Sequence, residues 1–146
     1  MPDVVFWDTS AFVALGNRDD DLHPLAVAIS EDLARQKARI LTTDAVLVEV
    51  VNSFSKVPLR PFAQTIVDAV QQSARAGVAS VVHVDEDLWR RGLGLFTQRQ
   101  DKEWSLTDCI SIVVMQERRV LRAFTSDHHF EQAGFVGLMA GASGAR

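Results

Sequence analysis

The sequence predicts an α/β fold, a central parallel sheet of four to five strands flanked by helices on both faces. Two observations carry that expectation. Short apolar or β-branched runs recur along the chain, each stopped by a polar residue, and a strand buried on both faces reads as such a run rather than as an alternating pattern. Longer stretches of helical character separate the runs. Strands alternating with helices imply parallel β-α-β units joined by right-handed crossovers.

The first strand is Val4-Val5-Phe6-Trp7, stopped by Asp8. The second is expected at 39–41 before Thr42-Thr43, the third at 80–84 before Asp85, and the fourth at 120–124 before Thr125-Ser126-Asp127. Helices are expected over 22–37, 44–55, 59–76, 86–98 and 106–119. Pro58 and Pro61 divide the second from the third, because proline is tolerated in a first helical turn and not in an interior. The segment from Gly134 onward is rich in Gly, Ala and Ser, with one short strand expected at 135–138. The expected organisation is one domain over 1–138 and a flexible tail over 139–146.

Composition bounds the rest. The chain has 146 residues, 47% apolar and 23% charged, with 19 acidic and 15 basic side chains and a formal net charge of −4. A fold of this length buries roughly two-thirds of its unfolded surface and needs neither disulfide nor structural metal. The lone Cys109 cannot form an internal disulfide, which points to a reducing cytoplasm. The first basic residue is Arg18, and no export signal or membrane-length apolar run is expected. An acidic balance also argues, at first sight, against a nucleic-acid binder.

Four acids stand out by position. In open α/β sheets, ligands bind beyond the carboxyl ends of the strands, where strand order reverses. Asp8 follows the first strand directly and Asp127 follows the fourth by three residues. Glu49 points away from a helical face formed by Leu47, Val50, Val51 and Phe54, toward Ser53 and Lys56. Asp108 opens a helix that is apolar nearly all round, which brings its first turn close to the core.

Taken singly, each acid also has a structural reading. Ser105-Leu106-Thr107-Asp108 fits a capping box. Asp127 could cap a short helix through His128, His129 and Phe130, Asp8 could satisfy a strand-to-helix turn, and Glu49 could sit on a solvated face. Together they point to a cation, because clustered carboxylates repel one another unless positive charge offsets them. An all-oxygen set suits Mg²⁺ or Mn²⁺ rather than zinc, and such ions suit phosphoryl chemistry. The rival devices are missing: no glycine-rich phosphate loop and no G-x-S-x-G elbow occurs, and Cys109 reads as a small core residue.

These residues carry a family resemblance. Val5-Phe6-Trp7-Asp8-Thr9-Ser10-Ala11-Phe12 resembles the opening of a PIN domain, and Glu49 in Val48-Glu49-Val50-Val51-Asn52 is similar to that family's second acid. The run from Asp101 to Ser111 around Asp108, and Thr125-Ser126-Asp127-His128-His129-Phe130 with Gly134-Phe135, resemble its third and fourth acidic segments. The match spans about residues 4 to 136, with the motifs in order.

The resemblance implies a metal-dependent ribonuclease, most often a VapC-like toxin of a type II toxin-antitoxin pair, hydrolysing RNA to leave a 5′-phosphate and a 3′-hydroxyl. It assigns Asp8, Glu49, Asp108 and Asp127 to a site holding one or two Mg²⁺ or Mn²⁺ ions, with Thr9, Ser10 or Thr125 supporting a ligand or a metal-bound water. It also implies a homodimer and a VapB-like antitoxin whose C-terminal segment blocks the acidic site.

Lys56, Arg60, Arg90, Arg91 and Arg99 are the candidate RNA contacts. Asp44 reads as an N-terminal helix acid, Asp19-Asp20-Asp21 as a solvated loop, and His128 and His129 as surface or packing residues. Trp7, Trp89 and Trp104 read as core, as do Leu59, Phe62 and Ile66. The rivals are a metal-dependent phosphatase on a similar sheet, a response-regulator-like binding module and a non-catalytic PIN-type RNA-binding or regulatory module. A haloacid-dehalogenase-type phosphatase would want an acid two residues after Asp8, where Ser10 stands, and a response regulator a strand-end lysine, which is missing. Setting the four site acids aside leaves 15 acidic and 15 basic residues, so the net charge equals that of the site, and two divalent ions would cancel it.

Overall fold

The computed structural model describes residues 3–143. In chain order the elements are β1 (Val4–Trp7), α1 (Thr9–Gly16), α2 (His23–Arg35), β2 (Arg39–Thr43), α3 (Asp44–Ser53), a 3₁₀ turn (Val57–Leu59), α4 (Arg60–Arg75), β3 (Ala79–Val82), α5 (Glu86–Gln98), α6 (Leu106–Arg118), β4 (Arg122–Phe124), α7 (His129–Gln132), β5 (Val136–Gly137) and α8 (Ala140–Ser143). The strands form one sheet in the order β3-β2-β1-β4-β5, every pair parallel. From β1 the chain builds outward through β2 to β3, then crosses back to place β4 on the other side of β1. Strand order therefore reverses between β1 and β4, and right-handed crossovers put the connections on either side of that reversal on opposite faces.

The expected α/β architecture is present, with strand limits that differ by a few residues for local reasons. At the head of β4, Arg119 closes α6 in the left-handed conformation (φ 57) and Val120 N–H donates back to Met115 C=O at 2.9 Å. That turn consumes Val120, so β4 starts at Arg122 rather than at 120. The same left-handed stop ends α2 at Lys37 (φ 56) and α4 at Gly77 (φ 78), where glycine adopts it without a Cβ penalty. The ladder of β3 stops at Val82 because Val84 N–H is taken by the Asp44 carboxylate at 3.0 Å, which ties the ends of β2 and β3 together. Asp44 thus does more than open α3, whose cap is Thr43 accepting from Val46 N–H.

The core lies on β1 and β4. Val5 and Phe6 are fully buried, Trp7 stacks edge-on against Phe124 with centroids 4.8 Å apart, and Phe130 packs toward Phe6 at 6.3 Å. Trp104 and Cys109 are buried as expected, and burial pushes the Cys109 thiol up to about 11, which makes it inert. Three expectations about the core need correction. Trp89 is half exposed, Phe62 lies 45% exposed against Phe54, and Val51 faces solvent while Val46, Val50 and Phe54 face inward. The inward stripe of α3 is thus narrower than its hydrophobicity suggests. Met139 is fully buried and Ala140–Ser143 is helical, so the stretch expected as a tail opens with a core residue; residues 144–146 lie outside the described residues.

Candidate active site

Asp8 is placed by the sheet itself. Its N–H donates to Phe124 C=O at 3.1 Å, so the pairing of β1 with β4 runs one residue past Trp7 and sets Asp8 beside Thr125. Thr125 is fully buried, and its hydroxyl donates to Asp8 Oδ2 at 2.9 Å while accepting from Asp127 N–H at 3.0 Å. Ser10 Oγ lies 3.2 Å from Thr125 Oγ1 and accepts from Ser126 N–H at 3.0 Å. Thr125 has one proton and gives it to Asp8, so Ser10 is the donor in that pair. Two acids are thereby held in register by one hydroxyl.

Glu49 and Asp108 arrive on helices. Thr9, the first residue of α1, donates its hydroxyl to Glu49 Oε1 at 2.7 Å, which turns the carboxylate of α3 toward the end of β1. Asp108 forms the expected capping box at the start of α6: Ser105 Oγ accepts from Asp108 N–H at 3.0 Å and Asp108 Oδ2 accepts from Ser105 N–H at 3.1 Å. Asp127 accepts from His129 N–H at 2.9 Å, a local cap of the kind its position suggests. The capping and site readings of these two acids are thus compatible in one geometry. Asp8, by contrast, makes no side-chain cap to α1.

All four acids line one cleft of about 690 Å³ beyond the carboxyl ends of β1 and β4, together with Thr9, Ser10, Ser105, Ser126 and His129. The cleft lies at the reversal of strand order, where ligands bind in sheets of this kind. Sequence reasoning missed several of its residues as site members, exposed His128 among them. Glu103 and Asp20 also face it, and His129 sits within it rather than on the surface, with Nδ1 2.9 Å from Asp108 Oδ2 and 3.1 Å from Asp127 Oδ1. The resemblance of 125–130 to a known segment was the available signal for His129, since it follows Asp127 by two residues.

The electrostatics favour a cation. Burial pushes the Asp8 carboxyl up to about 7, with the charges of Asp108 and Asp127 adding to the effect and the bonds from Thr125 and Thr9 opposing it. Asp108 is raised as well, first by burial and then by Asp127, against the pull of Ser105 N–H and His129. No lysine or arginine lines the cleft among the described residues, whereas Asp8, Asp20, Glu49, Glu103, Asp108 and Asp127 all do. An all-oxygen carboxylate set in which the charges of Asp8 and Asp108 are disfavoured first by burial and then by neighbouring acids fits a hard divalent cation.

The basic candidates stand outside the cleft lining. Arg91 pairs with Asp87 at 2.9 Å and Glu117 at 3.1 Å, and Arg99 pairs with Asp101 and lies over the Trp104 ring at 4.9 Å. Arg60 donates to Ser55 C=O at 2.8 Å, while Lys56 and Arg90 are exposed.

The PIN-domain family model matches residues 5–136, which contain every acid of the cleft. The chain belongs to the PIN-domain family. It is 28% identical over 133 residues to the 23S rRNA-specific endonuclease VapC20 of Mycobacterium tuberculosis, an alignment covering 91% of this chain and 96% of that protein. It is 28% identical over 127 residues to a VapC ribonuclease of Archaeoglobus fulgidus, covering 84% and 76% of the two chains. The crystal structure of M. tuberculosis VapC20, a sarcin-ricin loop cleaving toxin, superposes with a TM-score of 0.77 at 27% identity over 90% of this chain and 96% of that one.

Proposed function

We propose that this protein is a divalent-metal-dependent endoribonuclease of the VapC toxin type, hydrolysing RNA phosphodiesters to leave a 5′-phosphate and a 3′-hydroxyl. The observation that carries the reading is the meeting of Asp8, Glu49, Asp108 and Asp127 in one cleft without a lysine or arginine among its described lining residues. A phosphodiester enters such a place only if a cation precedes it. The homology to VapC endonucleases supports RNA as the substrate.

In this reading the four acids hold one or two Mg²⁺ or Mn²⁺ ions. Bound there, such an ion lowers the pKa of a coordinated water and stabilises the leaving oxygen. The protein's own work is positional. Thr125 fixes Asp8, Thr9 fixes Glu49, and the capping box fixes Asp108 at the head of a buried helix. Lys56, Arg60, Arg90, Arg91 and Arg99 are proposed to meet the RNA backbone away from the cleft. A VapB-like antitoxin would block the acids, and the protein would act as a homodimer in the cytoplasm. No helix among the described residues is long and apolar enough to cross a membrane.

Labelled ribosomal RNA incubated with the purified protein tests the proposal. Cleavage at a defined site in Mg²⁺ or Mn²⁺, abolished by chelator and by Asp8→Asn, is expected. Hydrolysis of small phosphate esters with RNA left intact would make it a phosphatase instead.

A further inference from the structure

We propose that His129 is a positioning residue of this centre, its ring N–H holding Asp108 beside the Asp127 carboxylate that its backbone N–H holds, so that both acids can serve one cation. The inference rests on the reading of the four acids as a divalent-metal site. It concerns two ligands that reach the cleft from different elements, Asp108 on α6 and Asp127 in the turn after β4.

The His129 side chain is only 18% exposed, and its Nδ1 faces Asp108 Oδ2 at 2.9 Å and Asp127 Oδ1 at 3.1 Å. Asp108 Oδ2 accepts when ionised, so Nδ1 carries the proton and bonds Asp108, while Asp127 Oδ1 is bonded by the backbone N–H of the same residue at 2.9 Å. Among the described residues no other residue bonds both carboxylates, His129 doing so through its ring to Asp108 and its backbone N–H to Asp127. Asp108 Oδ2 also accepts from Ser105 N–H. That leaves Asp108 Oδ1 and Asp127 Oδ2 without a protein donor among the described residues, and these are the oxygens available to a cation. The ring is held in place from behind, because the next residue, Phe130, is fully buried against Phe6. His128 lines the same cleft with its ring 4.6 Å from that of His129, but its side chain is 71% exposed and its Nδ1 stays 3.8 Å from Asp127 Oδ1, beyond hydrogen-bond reach. Without the His129 ring donor, the Asp108 carboxylate, its side chain only 10% exposed, loses its hold beside Asp127 and the two acids repel, which weakens cation binding.

Mn²⁺ titration of the purified full chain, read by the electron paramagnetic resonance of free Mn²⁺, tests this without reference to RNA cleavage. His129→Ala is expected to weaken Mn²⁺ binding by about tenfold or more, the usual effect of removing a hydrogen-bond partner of a ligand. His129→Asn places an amide N–H near the position of Nδ1 and is expected to restore the affinity to within about threefold of the natural protein on the same grounds. Wild-type affinity in His129→Ala overturns the inference, and so does a folded His129→Asn that binds as weakly as the alanine variant. Failure of the natural protein to bind Mn²⁺ at millimolar concentration is a different result: it overturns the metal reading, and this inference with it.

Discussion

Thr125 carries one hydroxyl and three partners, Asp8, Ser10 and the N–H of Asp127. A buried hydroxyl with every capacity used has no cheap replacement. Thr125→Val keeps the shape but strands the Asp8 carboxylate, the Asp127 N–H and the Ser10 hydroxyl, and a buried polar group left unpaired costs about 1–3 kcal/mol. Urea denaturation should show a loss of that order, and RNA cleavage should fall about tenfold or more as Asp8 loses its orientation. Asp8→Asn and Asp108→Asn behave oppositely. Each removes a charge that burial already disfavours, so far-ultraviolet circular dichroism and melting should be retained or improved, while cleavage falls by at least about 100-fold through loss of a metal ligand. The sequence marks Thr125 by its resemblance to a known segment, but that one oxygen joins two acids depends on β1 and β4 being neighbours.

Helices α5 and α6 pack at a close approach that a glycine permits. A Cβ built on Gly92 would lie 2.5 Å from Ile110 Cγ1, near the root of a β-branched side chain, with the Ile110 backbone already at van der Waals contact, 3.4 Å from its Cα. Gly92→Val is therefore expected to cost about 2 kcal/mol, as overpacking typically does, and to lower the midpoint of a thermal melt. Because Ile110 is two residues from Asp108, the same variant should also weaken Mg²⁺ binding, measurable by calorimetry. Among the elements, the long helices were legible from their period and their prolines, and α1 was not. Thr9–Gly16 is eight residues long with an almost unbroken apolar stretch, Ala11 to Leu15, so no periodicity distinguishes it from a loop or a strand. Trp89 misleads for the converse reason: composition argues for burial, whereas its place on α5 leaves it half exposed.

The cleft gathers six acids and no lysine or arginine among the described residues, and the burial of Asp8 there is expected to make stability depend on pH and, on the proposed function, on a divalent metal. In the metal-free fold Asp8 holds its proton up to about 7, against an ordinary value of 3.8 that applies once the chain unfolds. Between those two values the folded state binds a proton that the unfolded state has released. Its contribution to stability is thus fully present below about 3.8 and lost as pH rises through about 7. Asp108 is shifted in the same direction. The metal-free protein should consequently melt several degrees lower at pH 8 than at pH 5.5, and Asp8→Asn should flatten that dependence. Mg²⁺ at about 100 times its dissociation constant should return about 2.7 kcal/mol, or roughly 5–10 °C at this size. Calorimetric melts at both pH values, with Mg²⁺ and with chelator, check all three expectations; a Tm unmoved by millimolar Mg²⁺ counts against a clustered site.

The sequence by itself determined the alternation of strand and helix, the placing of Asp8 and Asp127 just past strand ends, and the candidacy of Glu49 and Asp108. Those features are local, written in hydrophobic runs, prolines and caps whose meaning depends on near neighbours in the chain. Only the tertiary structure decided that Thr125 joins Asp8 to Asp127, that His129 reaches Asp108, that Asp20 and Glu103 add to the acidic wall, and that Trp89 and Phe62 stay at the surface. Each of these depends on which strands are neighbours and on how closely helices approach. Contacts such as that between Asp8 and Thr125, 117 positions apart, follow from sheet order and packing, which no local pattern encodes.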